Sequence, residues 1–198
     1  MTRNGNHTKE LIARTALKLF VAKGITETTV RDIATAAGLA EGTLYRHFES
    51  KEELAWELFH TNYTAFAREL ERLQQDYDTL QAKLTAMIRQ FCTFFDRDPV
   101  LFSYLLLAQH SQLKKVPPEM ATAVTVLQKV LAQGMARLEV PEMEVEVAAA
   151  MVLGLVLQVA VFKAYSRITQ NLSDLADSLA AAAWRVLAGG GIAAGPPP

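Results

Sequence analysis

The sequence predicts an all-α fold, and three observations carry that prediction. Alanine and leucine abound, while only 7 of the 198 residues are proline. No run alternates apolar and polar side chains as a half-buried strand would. Apolar residues recur three and four apart instead, in stretches opened by Thr, Asp or Asn and closed by Gly, the start and stop signals of helices. A chain of this length makes one or two compact domains with a real core.

The first helix is predicted over residues 8–23, with Ile12, Ala16, Leu19 and Phe20 on its inner face and Gly24 ending it. Thr29 then caps a second helix: its hydroxyl can take the amide of Asp32, and Asp32 can reach back in a capping box. Val30, Ile33, Ala34 and Ala37 follow at helical spacing. Gly38 stands where a helix ends in the left-handed region, and Leu39 turns inward to plug the corner. The third helix is expected over 41–48, with Leu44 and Phe48 on its buried side. Together these make a three-helix head over 1–50. A fourth helix starts near Lys51 and runs through Leu54, Leu58, Phe66 and Leu70 to about 75, long enough to connect two parts of a protein and, if rigid, to pass motion between them.

Five more helices are expected in a body over 51–188. Residues 79–95 carry Leu84, Met87, Ile88, Phe91, Phe94 and Phe95 as one stripe. Asp98 as cap and Pro99 in the first turn open the next, to about 112. A turn at 114–118 precedes a helix over 119–137. Pro141, with Glu142 and Glu144, opens a long apolar helix to about 166, and Asn171 with Asp174 caps the last, over 172–187. Residues 189–198, GGGIAAGPPP, cannot form a helix and are expected as a flexible tail.

Charge is distributed unevenly behind a net of −1. Residues 1–51 hold eight Lys or Arg against five Asp or Glu, a balance of +3, which leaves −4 for the rest. A basic head on an acidic body is the asymmetry expected of a nucleic-acid-binding protein. Cys92 is the single cysteine, so no internal disulfide can form; a small buried hydrophobe in a reducing cytoplasm is the natural reading. MTRNGNHTKE lacks the apolar core of a secretion signal. The longest apolar run, 147–162, is broken by Gln158 and spans about 24 Å against about 30 Å of hydrocarbon, so no membrane span is expected.

On the third helix, Thr43, Tyr45, Arg46 and His47 surround the sides that Leu44 and Phe48 leave open. Arg can bond both acceptors of a guanine edge, Thr can meet a thymine methyl or a phosphate, and Tyr and His can donate to phosphate oxygens. Lys51 opens the next helix, where its charge and the free backbone donors suit another phosphate. A plain helical hairpin with a polar exterior would show much of the same pattern.

The motifs resemble those of the tetracycline-repressor (TetR) family of bacterial transcription regulators. They occur in order: Phe20 to Gly24 as F-x-x-x-G, then T-T-V-R-D-I-A, A-G-L, G-T-L-Y-R-H-F beginning at Gly42, and K-E-E-L beginning at Lys51. The resemblance covers about the first fifty residues. It implies DNA contacts from Thr29, Gly42, Thr43, Tyr45, His47 and Lys51; the base contact proposed for Arg46 comes from its chemistry, since that position varies in the family. Two residues depart from the pattern. Ala40 stands where many relatives have a capping serine, and Glu41 puts an acid in the first turn, where it either supports the helix dipole or accepts from a cytosine amino group.

The two last helices are apolar nearly all round, which calls for a partner chain, and a homodimer would present two heads to a near-palindromic site. Met151, Leu155, Val156, Val159 and Phe162, with Leu175, Leu179, Ala182 and Val186, are the expected interface. The resemblance also implies a ligand cavity in the body. Its candidate walls are Phe59, Tyr63, Phe66, Met87, Phe91, Phe95 and Phe102, with Tyr104, Gln109, His110, Met120, Gln128 and Met151, a lining suited to an apolar or amphipathic small molecule. The four histidines (His7, His47, His60, His110) show no metal-ligand spacing, no phosphate-cradling glycine loop occurs, and no nucleophile has a recognisable setting. No metal, cofactor or catalytic residue is therefore expected. The reading that follows is a homodimeric, ligand-responsive repressor binding operator DNA. A protein of the same fold without an inducer, or a helical enzyme with a vestigial head, are the alternatives.

Overall fold

The computed structural model describes residues 2–112 and 120–189, and side-chain surroundings over 5–108 and 120–189. All regular structure among the described residues is helical: α1 Thr2–Lys23, α2 Val30–Ala37, α3 Glu41–Tyr45, α4 Lys51–Leu73, α5 Leu80–Arg97, α6 Pro99–Gln112, α7 Ala123–Ala136, α8 Val145–Ala164 and α9 Leu172–Ala188. A short 3-10 turn, Gln74–Asp76, follows α4. The expected turn at 114–118, and the expected tail beyond Gly189, lie outside the described residues.

Two compact units emerge, and their division differs from the expected 1–50 and 51–188. The first comprises residues 1–63 and 100–120, the second 64–99 and 121–198. The boundary falls inside α4, and α6 joins the amino-terminal helices.

In the first unit, Ile12, Ala16, Leu17 and Phe20 of α1 pack with Ile33 and Ala34 of α2, Leu44 of α3, and Leu54, Ala55 and Phe59 of α4. Leu17 takes the place expected for Leu19, which is only half-buried. Thr28, fully enclosed, donates its hydroxyl to the Gly24 carbonyl at 2.7 Å and closes the turn after α1. From α6, Phe102, Tyr104, Leu105 and Ala108 are buried in the protein.

In the second unit α5 packs chiefly on α9, and α8 on both α9 and α7. The buried stripe of α9 reads Leu172, Ala176, Ala180, Ala183, Leu187. Its three alanines let the neighbouring backbone approach closely. Asn171 makes no side-chain cap; instead the Asp96 carboxylate, at the end of α5, accepts the Leu172 and Ser173 amides at 3.0 and 2.8 Å. The carboxylate offers a separate charged oxygen to each of these orphan donors at the helix start. Residue 119 lies outside the described residues, and α7 begins at Ala123 with a Thr122–Thr125 capping box. Helix α8 has 20 residues, about 30 Å at 1.5 Å per residue, so it is long and apolar enough to cross a bilayer by length and composition. The 24 Å expectation stopped short because the helix continues through Val145, Glu146, Lys163 and Ala164. One stripe of it, Ala148, Ala149, Val152, Val156 and Ala160, is buried.

Candidate nucleic-acid interface

The sequence TTVRD folds locally as its chemistry requires. Thr29 is extended, its hydroxyl accepts the Asp32 amide at 3.0 Å, and its own amide donates to Asp32 Oδ2 at 2.8 Å. Lys23, at the end of α1, places Nζ 2.6 Å from the same Asp32 oxygen. The Lys23 hydrogen bond, with those from Thr29, holds the Asp32 carboxyl far below the usual carboxylate range. One charged clamp therefore fixes the start of α2 to the end of α1. At its other end Gly38 is left-handed, φ 67°, and the Leu39 amide bonds the Ala34 carbonyl at 2.9 Å, a Schellman closure that aims the chain into α3.

Helix α3 is shorter than the predicted 41–48. Ala40 supplies no capping side chain, and at the far end the Leu44 carbonyl takes the amides of both His47 and Phe48 at 2.9 Å, turning the chain after Arg46. Leu44 and Phe48 face inward as expected. Gly42, Tyr45 and Arg46 are exposed, and Thr43 and His47 are half-buried.

Three of the predicted contact residues come together. A recess of about 330 Å³ is lined by Thr29, Tyr45 and Lys51, along with Thr26, Thr28, Val30, Glu49, Ser50 and Glu52. It receives the starts of two helices, α2 at Val30 and α4 at Lys51, where free amides and the helix dipole favour an anion. Ser50 caps α4 through the Glu53 amide at 3.0 Å. Lys51 is less free than its position suggests: its side chain is 15% exposed, and Nζ donates to the Thr26 carbonyl at 3.1 Å and lies 3.7 Å from Glu52. The lysine thus ties the turn before α2 to the start of α4. Lys23 and the Thr26 carbonyl were missed in the sequence, because each acts on a partner many residues away with no local signature.

The residues expected to wall a ligand cavity divide between the units. In the first, Phe59 and Phe102 are buried, Tyr63 stacks on Phe59 at 4.8 Å, and Met120 is half-buried. Burial raises the Tyr63 hydroxyl's pKa. The side chains of Gln109 and His110 lie outside the described residues. In the second, Phe66, Met87 and Phe95 are buried, and Phe91 and Gln128 half-buried. The Tyr104 hydroxyl, in the first unit, donates to the Ala55 carbonyl at 2.5 Å. Met151 is 41% exposed and faces outward on α8.

That outward position belongs to a stripe. Val147, Met151, Gly154, Gln158 and Phe162 are exposed along one side of α8, and Leu175, Leu179, Ala182 and Val186 form a half-open row on α9. Leu155 and Val159 are half-buried. Val156 is the exception among the expected interface residues: at 5% exposure it is packed within the protomer, because it lies one turn from Val152 and Ala160 on the covered side of α8.

Residues 12–58 match the family model of bacterial regulatory proteins, tetR family. The helix-turn-helix-type transcriptional regulator YerO of Bacillus subtilis (strain 168) is 25% identical over 116 residues, which are 56% of this chain and 40% of that protein. The transcriptional repressor KstR2 of Rhodococcus jostii (strain RHA1) is 54% identical over 43 residues, 22% of this chain and 21% of the repressor. The chain thus spans less than half the length of these curated relatives. The crystal structure of the transcriptional regulator FadR from Bacillus subtilis, in complex with stearoyl-CoA, superposes with a TM-score of 0.70 at 21% identity, covering 88% of this chain and 96% of that one. This likeness shows the fold.

Proposed function

We propose that this chain, whose residues 12–58 match the model of bacterial regulatory proteins, tetR family, is a homodimeric repressor that leaves a near-palindromic operator when a small apolar or amphipathic ligand binds. The observation that carries the reading is the recess that unites Thr29, Tyr45 and Lys51 at two helix starts, with Arg46 exposed on the adjoining turn. Such a recess takes a backbone phosphate while α3 lies in the major groove. Thr43 and His47, half-buried on α3 and the turn after it, are proposed as further contacts, and Gly42 leaves the start of α3 free of side-chain bulk.

The open apolar stripes of α8 and α9 support a second copy as the partner, since two adjacent apolar faces of one chain are self-complementary under a twofold axis. Residues 1–50 act as the DNA-binding domain and 51–188 as the ligand-binding and dimerisation domain, working in the cytoplasm where operator DNA is found. Stearoyl-CoA, held by the Bacillus subtilis neighbour, belongs to the amphipathic class that aromatic and methionine side chains accommodate. No catalytic step is assigned to any residue.

The test is reciprocity. A duplex enriched from a random pool by the chain is titrated with and without stearoyl-CoA, and stearoyl-CoA is titrated with and without the duplex. Each must weaken the other by the same factor. Acyl-CoA binding that is indifferent to DNA would remove the inducer part of the reading and leave a DNA-binding protein of the same fold.

A further inference from the structure

Helix α6 belongs to the same compact unit as the DNA-reading helices, and one of its side chains touches both helices that hold them. Tyr104 is 1% exposed. Its ring stacks on Phe20 of α1 at a centroid distance of 5.9 Å, and its hydroxyl donates to the Ala55 carbonyl of α4 at 2.5 Å. In an α-helix that carbonyl already accepts the amide four residues on, so the tyrosine is a second donor that α4 does not need for its own integrity.

Each contact lies about one helical turn from a tether of the α2–α3 hairpin. Phe20 is three residues before Lys23, whose ammonium grips Asp32 at the start of α2. Ala55 is four residues after Lys51, whose ammonium grips the Thr26 carbonyl before α2. Three and four residues are the helical neighbours that share a face, so α1 and α4 each meet Tyr104 and hold the hairpin from one face, about one turn apart along the helix.

We propose that Tyr104 is a positioning residue for DNA reading: it fixes the end of α1 against the start of α4, and so sets where their two ammonium tethers hold the α2–α3 hairpin. This rests on the head being a DNA reader. Nothing in Tyr104 touches DNA, and its effect runs only through Phe20 and Ala55.

The experiment uses the full-length chain. Tyr104→Phe removes only the hydroxyl, and Phe20→Leu removes the stack while leaving the hydroxyl in place. Amide hydrogen exchange is read in α2 and α3, with α5 and α9 as internal controls. Affinity is read on the duplex that the unaltered chain enriches from a random pool. Each variant should speed exchange in α2 and α3 by about 2- to 10-fold, the weight of one net hydrogen bond, and leave α5 and α9 unchanged. Duplex affinity should fall by a similar factor with an unaltered salt slope, because the same phosphates are met from a less populated geometry. A lower melting temperature with hairpin exchange and duplex affinity unchanged would overturn the proposal, leaving Tyr104 a mere core residue. Phe20 also packs on α2 and α3, so Phe20→Leu counts only through its coupling to Tyr104→Phe in the double variant, whose effects should be less than additive if they run through one contact. If Tyr104→Phe does not fold, Tyr104→Met, which fills the space without the hydroxyl, is read in its place. If the unaltered chain enriches no duplex, DNA reading falls while the exchange comparison still decides the coupling.

Discussion

At the residue scale, Arg46 and Lys51 are both cations near α3 but are expected to fail differently. Arg46 is exposed and is proposed to read a base edge, so Arg46→Ala should weaken operator binding by about 1–3 kcal/mol and relax preference at one base pair per half-site. Lys51→Ala should weaken binding to every sequence and lower the salt slope by about 0.9, the share of one neutralised phosphate. Filter binding across a salt series on operator and random duplex separates the two; equal weakening on both duplexes for both variants would end the division of labour. The Thr29 capping box was legible because its partners sit three residues apart. Lys51 was legible as a cation but not as a tether, since the Thr26 carbonyl lies 25 residues away in sequence. Tyr104 read as a wall of the ligand cavity, because helical periodicity reports which face is buried and not what a hydroxyl meets there.

At the scale of elements, periodicity and caps located α2 to α9 within about four residues, while α1 begins at Thr2 and not at the expected Thr8. Helix α3 stops early because the Leu44 carbonyl takes two amides, those of His47 and Phe48. Helix α9 draws its cap from Asp96 on α5, a partner 76 residues away that no local motif announces. Partial burial pushes the Asp96 carboxyl upward, but the amide hydrogen bonds from Ser173 and Leu172 outweigh it and leave the pKa below the usual value. A carboxyl lowered on folding adds stability above its unfolded pKa, near 3.9, and that stability is lost as pH falls through the lower folded value. Asp96→Ala should therefore destabilise by about 0.5–2 kcal/mol at pH 7, the range for removal of a helix cap. The gap between variant and parent in urea melts should narrow as pH is taken from 5 toward 3; a gap that widens would contradict the cap. Gly134 makes a separate point about packing. A Cβ there would meet the Cβ and Cγ of Leu80 at 2.9 Å, so α7 passes the start of α5 with no room for a methyl group. Gly134→Ala should destabilise by about 1–3 kcal/mol from overpacking, measurable as a shift in the urea midpoint.

At the scale of the whole molecule, composition predicted an all-α chain correctly, and the open apolar stripes bear on the expectation of a partner. Hydrophobicity alone could not say which side of α8 stays open, since nearly every side is apolar. The structure separates Val156, packed inside, from Met151 and Phe162, which are each 41% exposed. Met151→Asp should give a folded monomer in sedimentation, whereas Val156→Asp should unfold the chain by burying an unpaired charge at a cost of several kcal/mol. A Met151→Asp protein that stays dimeric would place the interface elsewhere. The central claim is that two copies of this chain read one near-palindrome. Selection from a random duplex pool with the full-length protein, followed by footprinting of the enriched sequences, tests it most directly. Two inverted half-sites should be enriched, centred about one helical turn or a multiple of it apart and protected together at a stoichiometry of whole dimers. A pool that returns no enriched sequence, or a lone half-site bound by one chain, would contradict it.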